Sequence, residues 1–216
     1  MEFVSRVSAL LLLITLSPIL VVVSFLSLIF QGWPIFFKQE RVGFKYKTFN
    51  IYKFRSMTSN SGRLITDNKD SRITNFGKFL RITKFDEIPQ LLNIVKGEMR
   101  FIGPRPEVLK FFNKKKFNFL QKIKPGLSDY SSILFRNETR VLRKIGGKTP
   151  YLKLLPIKIE LANYYSNRKG FLLDLRLVLY TIISIIFPKF VMTILIKPVI
   201  FSDIPKLKCF WKKYLS

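Results

Sequence analysis

Two adjacent carboxylates, Asp86 and Glu87, open the segment Asp86–Lys96, which reads as the best-formed helix of the chain. Thr83 or Asp86 can cap that helix, Pro89 suits its first turn, and Gly97 follows as a C-terminal cap. A helix start carries free N–H groups and partial positive charge, which hold a carboxylate ionised. Such a group can serve as a nucleophile or as a ligand for magnesium. Capping is the commoner role of acidic residues there, and the pair alone does not separate the two readings. Lys53, Arg55, Arg81 and Arg105 are candidate phosphate clamps, because a guanidinium fork matches phosphate oxygens. They are also four cations in a chain that is basic throughout. Gly103-Pro104-Arg105-Pro106 says more, since prolines on both sides make a rigid presenter of one arginine, or else simply a structural turn.

Other chemistries are excluded by what the sequence lacks. There is no histidine, which removes Ser-His-Asp and Cys-His pairs, His-ligated zinc and imidazole acid–base catalysis. Cys209 is the only cysteine, so no intramolecular disulfide can form and a reducing compartment is expected. Neither a P-loop nor a G-x-G-x-x-G turn is present.

The elements that must position these residues can be sketched from pattern. Thr48–Met57 is rich in β-branched and aromatic residues and predicts a strand, with Lys53 and Arg55 on one face. Met57–Asp70 is polar and turn-rich and reads as a loop. Val108–Lys124 mixes phenylalanines with lysines, which suits either a helix lying among lipid headgroups or a helix with a solvated lysine face. Arg136–Asn167 predicts two helices around a break at Gly146-Gly147. Phe171–Phe201 is apolar but interrupted by charges and divided at Pro188, which fits interfacial or core-packing helices rather than one continuous span.

The 216 residues suffice for one compact domain plus a membrane segment. Hydrophobic residues make up 48% of the chain, yet 38 Lys+Arg against 13 Asp+Glu give a net charge of +25. A folded chain of this balance is expected against an anionic partner, a lipid surface or a nucleic acid. Val7–Phe37 carries no charge and is long enough to cross a bilayer. Ser17-Pro18 lies near its middle, where proline removes a backbone donor and a neighbouring serine can satisfy the carbonyl left free. Arg6 flanks one side and Lys38, Arg41, Lys45 and Lys47 the other, so both flanks stay cytoplasmic only if the segment enters and turns back. A kinked spanning helix and a re-entrant one both fit the residues.

The ordered set Gln39-x-Arg41-x-Gly43, Ile51–Met57 (IYKFRSM) and Leu80–Glu107 (LRITKFDEIPQLLNIVKGEMRFIGPRPE) resembles the bacterial sugar transferase family of monotopic polyprenyl-phosphate phosphoglycosyl transferases. The likeness extends more loosely through Lys124–Glu138 and Phe171–Thr181. It implies an α+β, mainly helical fold: residues 1–37 a re-entrant helix-break-helix at Ser17-Pro18, and residues 38–216 a cytoplasmic catalytic domain with a small β-hairpin, interfacial amphipathic helices and a basic tail. It implies transfer of a sugar 1-phosphate from a UDP-sugar to undecaprenyl phosphate, with release of UMP, at the cytoplasmic face of the bacterial inner membrane. Asp86 would be the nucleophile and form a covalent phosphosugar intermediate. Glu87, with Asp86, would hold Mg²⁺, while Lys53, Arg55, Arg81 and Arg105 balance phosphate charge and Gln90 orients the donor. The resemblance leaves no role for nucleic acid and is compatible with a homo-oligomer. It is to the short form that begins at the re-entrant segment. After Pro125-Gly126, however, LSDYSSILFRNE replaces the more frequent glycine–tryptophan pair and Asn-Gly-Arg, so the sugar is not read from the sequence. A non-catalytic, membrane-anchored basic binder or scaffold is the competing reading, and it leaves the ordered motifs unexplained.

Overall fold

The computed structural model describes residues 2–58 and 72–215, and the loop expected over Met57–Asp70 lies almost wholly outside them. Helix α1 (Glu2–Gln31) runs 30 residues with Pro18 inside it, a length of about 45 Å at 1.5 Å per residue. The expected helix-break-helix is thus one unbroken helix. Pro18 cannot donate to the Ile14 carbonyl, and the Ser17 hydroxyl donates to that same oxygen at 2.7 Å. Among the described residues α1 is the one helix long and apolar enough to cross a membrane. Most of its apolar side chains, such as Phe3, Leu11, Val21 and Phe30, point outward.

Strands β1 (Phe36–Val42) and β2 (Thr48–Phe54) form the expected antiparallel hairpin, pairing Phe36 with Phe54 and Val42 with Thr48. Its turn is closed by Gly43 N–H donating to the Lys47 carbonyl at 2.8 Å. α2 (Asn75–Thr83) follows, capped by the Thr74 hydroxyl accepting from Gly77 N–H. The helix predicted from Asp86 to Lys96 is divided: Phe85–Gln90 is a 3₁₀ helix, and only α3 (Leu91–Val95) is α-helical. Pro89 is the reason, because its ring would collide with the Phe85 carbonyl in an α-turn. Thr83 does not cap it; its hydroxyl donates back to the Phe79 and Leu80 carbonyls.

β3 (Arg100–Ile102) pairs in parallel with β4 (Gly126–Ser128), a second sheet that sequence pattern did not anticipate. The two backbones meet at Gly103 and Gly126, where a Cβ on Gly126 would fall 2.1 Å from the Gly103 nitrogen. Between these strands the predicted Val108–Lys124 helix is absent. Only short 3₁₀ turns form, at Leu109–Phe111 and Asn118–Gln121, and Phe117 and Phe119 turn inward to the core. α4 (Tyr130–Leu134) leads to α5 (Glu138–Ile145) and α6 (Pro150–Arg168), which flank Gly146-Gly147 as expected. α7 (Phe171–Ile186) stops before Pro188, also as expected. The tail continues as α8 (Pro188–Phe190), a π-helical stretch Val191–Ile196, α9 (Lys197–Asp203) and α10 (Pro205–Tyr214).

The tail is part of the core: Val191, Ile196, Ile200, Leu207 and Trp211 are buried in the same cluster as Leu134, Phe135 and Leu142. α1 packs on the domain at two places, Ala9 against Leu91 and Ile94, and Val23 against Phe54 and Leu80. Both its ends are fastened as well. Glu2 pairs with Lys124 at 2.8 Å, and the Gln31 amide donates to the Arg55 carbonyl at 2.8 Å.

Candidate active site

The site begins where α2 ends. Lys84 adopts a left-handed backbone (φ 64°) and reverses the chain into the 3₁₀ turn that carries both carboxylates. Asn93 locks this turn to the hairpin: it is fully buried, accepts from Tyr52 N–H at 3.3 Å, and donates to the Asn50 carbonyl at 2.7 Å. That clip brings Lys53, next along β2, over Glu87.

Glu87 sits in a ring of cations. Its carboxylate accepts from Lys53 Nζ at 3.1 Å and from Arg105 Nη2 at 2.6 Å, with Arg105 Nη1 at 3.5 Å and Lys84 Nζ at 3.9 Å. The two Arg105 contacts approach the bidentate fork that guanidinium makes with carboxylate. Burial alone would raise the Glu87 pKa, but Arg105, Lys53 and Lys84 outweigh it and hold the carboxyl well below the usual range. Asp86 goes the other way. Burial, then the charge of Glu87, pushes its pKa up against Lys53, Lys84 and Arg81. Its Oδ1 is buried and has no hydrogen-bond partner among the described residues. Adjacent carboxylates have therefore been separated in character: Glu87 held ionised by its cations, Asp86 basic and unsatisfied among the described residues.

The other expected residues fall as follows. Gln90, one turn beyond Asp86, is 2% exposed and its Nε2 also lacks a partner among the described residues. Arg81 is half-buried, close enough to lower the Asp86 pKa, and makes no hydrogen bond or ion pair among the described residues. Arg55 is not beside the pair. Its guanidinium donates to the carbonyls of Gly32 and Trp33 at the end of α1, at 2.8 and 3.3 Å, and also to that of Gln31. Two cations escaped the sequence reading. Lys84 was legible as the residue three before Glu87. Arg136, whose pKa is lowered by burial and raised by Glu87, precedes the α5 cap Asn137 and had no signal beyond its charge.

No cluster of three or more His, Cys, Asp or Glu side chains that could hold a metal ion occurs among the described residues. Mg²⁺ commonly takes only one or two carboxylates and completes its shell with water and substrate phosphate. The unpartnered Asp86 Oδ1 beside Glu87 fits that donor set.

Sequence comparison gives the family to which this fold and carboxylate pair belong. The profile of the bacterial sugar transferases matches residues 2–188, and the chain belongs to that family. It is 37% identical over 151 residues to the UDP-glucose:undecaprenyl-phosphate glucose-1-phosphate transferase of Klebsiella pneumoniae, covering 65% of this chain and 32% of that protein. It is 32% identical over 178 residues to the UDP-N-acetylgalactosamine-undecaprenyl-phosphate N-acetylgalactosaminephosphotransferase of Aeromonas hydrophila, covering 79% of this chain and 40% of that one. Exopolysaccharide production protein ExoY of Sinorhizobium fredii is 32% identical over 166 residues, covering 67% and 73%. The chain thus spans about a third of the length of the Klebsiella protein. Most of the tail, from Lys189 on, lies beyond the family match.

Proposed function

We propose that this chain transfers a sugar 1-phosphate from a UDP-sugar to undecaprenyl phosphate at the cytoplasmic surface of the bacterial inner membrane, releasing UMP. The observation that carries the reading is the contrast within the pair: a buried, unsatisfied Asp86 with a raised pKa beside a Glu87 already neutralised by Arg105 and Lys53. A carboxylate of raised basicity is the better nucleophile, and one with a free oxygen has room to form a bond.

In the first half-reaction an Asp86 carboxylate oxygen attacks the phosphorus that bears the sugar. The bond from that phosphorus to the bridging oxygen breaks, and UMP leaves with the oxygen. Asp86 is left as an acyl phosphate ester of the sugar. In the second half, an oxygen of undecaprenyl phosphate attacks the same phosphorus and the Asp86 carboxylate departs, giving the lipid diphosphosugar. Gln90 Nε2 and the Arg81 guanidinium, which has no partner among the described residues, are donors available to the phosphate oxygens, where charge-assisted hydrogen bonds are strongest. Asp86 and Glu87 would hold Mg²⁺, which when bound would offset charge on the diphosphate. Arg55 serves the reaction indirectly, by holding the end of α1 to the hairpin.

The membrane placement rests on α1. Both of its ends contact one domain, while most of its outward surface is apolar. A helix that crossed the bilayer could not keep both ends against one domain, so α1 lies along the domain with its outward apolar face in the leaflet, and the domain lies on the cytoplasmic face. α7 contacts the same strand, β3, and also exposes Leu172, Leu179, Ile182 and Ile186. The net charge of +25 suits an anionic leaflet.

The test is UMP release from a panel of UDP-sugars with Mg²⁺, detergent and undecaprenyl phosphate, on wild type and Asp86→Asn. Release that needs the lipid and Asp86 is the expected result. Turnover retained by Asp86→Asn would remove Asp86 as the nucleophile.

A further inference from the structure

Behind the loop that presents Arg105 lies a chain of buried and half-buried polar side chains that the reaction does not touch. Arg41, at the end of β1, donates Nη1 to the Pro106 carbonyl at 3.1 Å and sits 3.7 Å from Glu107. Glu107 is 5% exposed. One of its oxygens accepts from Val108 N–H at 2.9 Å, and the other accepts from the Tyr151 hydroxyl on α6. Lys158, two turns further along α6, donates to the Tyr151 oxygen at 3.3 Å and to Glu138 on α5 at 2.9 Å. The order is cation, anion, hydroxyl, cation, anion, so the set is neutral as a whole while the buried Glu107 depends on its neighbours. Its members respond accordingly: Lys158 is held protonated by Glu138 against burial, and Glu138 is held ionised by Lys158.

This chain adjoins Arg105. A cavity of about 20 Å³ is lined by Arg105, Glu107, Asp129, Ser131 and Lys158 together. The loop backbone is gripped from two sides, Gly103 N–H donating to the Ser128 carbonyl at 3.0 Å and Val42 N–H to the Glu107 carbonyl at 2.9 Å. Gly126 N–H on the Pro104 carbonyl at 3.0 Å and Arg41 on the Pro106 carbonyl are further holds, and the Glu107 side chain is the one that ties the loop to Tyr151 and Lys158 of α6.

We propose that Tyr151 and Lys158, which lie outside the sugar transferase motifs, are positioning residues: through Glu107 and with Glu138 they fix the Gly103–Pro106 loop so that Arg105 meets Glu87 in register. The inference rests on the phosphoglycosyl transfer proposed above. The chain touches no substrate. It limits where the Arg105 guanidinium can sit, and a misplacement of about 1 Å in such a group can cost on the order of 10²-fold in rate.

Tyr151→Phe keeps the ring and removes the link; Lys158→Met removes the cation, and Lys158→Arg restores a donor. UMP release is measured for each at saturating and limiting UDP-sugar, together with hydrogen exchange of the Gly103–Phe111 peptide in the same detergent. Tyr151→Phe and Lys158→Met are expected to lower kcat about 10-fold to 10²-fold with KM changed less than about twofold, and to speed exchange in that peptide. Lys158→Arg should recover most of the lost kcat. A kcat within about twofold of wild type for Tyr151→Phe, or a loss appearing in KM alone, overturns the positioning role. Should wild type release no UMP from any donor, the reaction assignment fails by itself. The exchange measurement then decides the brace, and unchanged exchange in Tyr151→Phe refutes it.

Discussion

The opposed electrostatics of Asp86 and Glu87 predict stability effects of opposite sign from two isosteric substitutions one residue apart. Glu87→Gln removes the charge that neutralises Lys53 at 3.1 Å and Arg105 at 2.6 Å, at a side chain only 13% exposed. Breaking one side of a buried ion pair costs about 3–5 kcal/mol. Glutamine keeps an acceptor oxygen, so the lower end, about 3 kcal/mol, is expected. The Glu87 pKa is depressed, so its stabilisation is present above the ordinary carboxylate pKa and is lost as pH falls through the folded value. Asp86 is the reverse case. Its folded pKa is raised, so ionisation costs stability above that value, and the cost disappears below the unfolded pKa. Asp86→Asn should therefore match or exceed wild-type stability at neutral pH, and its advantage should fade in acid. Denaturant titration in detergent, followed by fluorescence of the buried Trp211, reads both as midpoint shifts at constant slope. Equal losses from the two variants at neutral pH would refute the assignment of a satisfied and an unsatisfied carboxylate.

Two further outcomes follow from packing. Ser17→Ala removes the donor to the Ile14 carbonyl beside Pro18; a loss of about 1 kcal/mol is expected, seen as a lower unfolding midpoint with turnover per folded molecule unchanged. Trp211→Ala empties a site where the ring stacks on Phe135, 6.3 Å between centroids, beneath Lys197 at 4.2 Å. A loss of about 3–5 kcal/mol, with early protease cleavage within the tail, would show the segment beyond the family match to be structural core.

What sequence could convey here was local. The hairpin, the helix pair around Gly146-Gly147 and the stop before Pro188 each follow from residues within a few positions of one another. The second sheet did not, because three-residue strands at Arg100–Ile102 and Gly126–Ser128 have no periodicity to read and pair only through the Gly103–Gly126 contact. Val108–Lys124 was misleading for a related reason. Its phenylalanines alternate with lysines as on an amphipathic helix, yet Phe117 and Phe119 are claimed by a core assembled from α5, α6 and the tail. At the site, motif spacing brought Asp86, Glu87, Lys53 and Arg105 into view. It could not tell that Arg55 is turned toward the carbonyls of Gly32 and Trp33, since β2 ends at Phe54 and the face shared with Lys53 ends with it. The resemblance named Asp86 the nucleophile, but motif spacing could not tell that the cations gather on Glu87 and leave an Asp86 oxygen without a partner among the described residues.

The two seats of α1 bear on how the molecule must be handled. Ala9 lies under α3 and Val23 under Phe54 and Leu80, so the helix proposed to hold the chain in lipid is also the floor beneath the carboxylate turn. Insertion and assembly of the catalytic centre are then a single equilibrium, in which bilayer thickness and headgroup composition act as ligands of the folded state. Rates compared between two detergents would compare two occupancies of that state before they compared any chemistry.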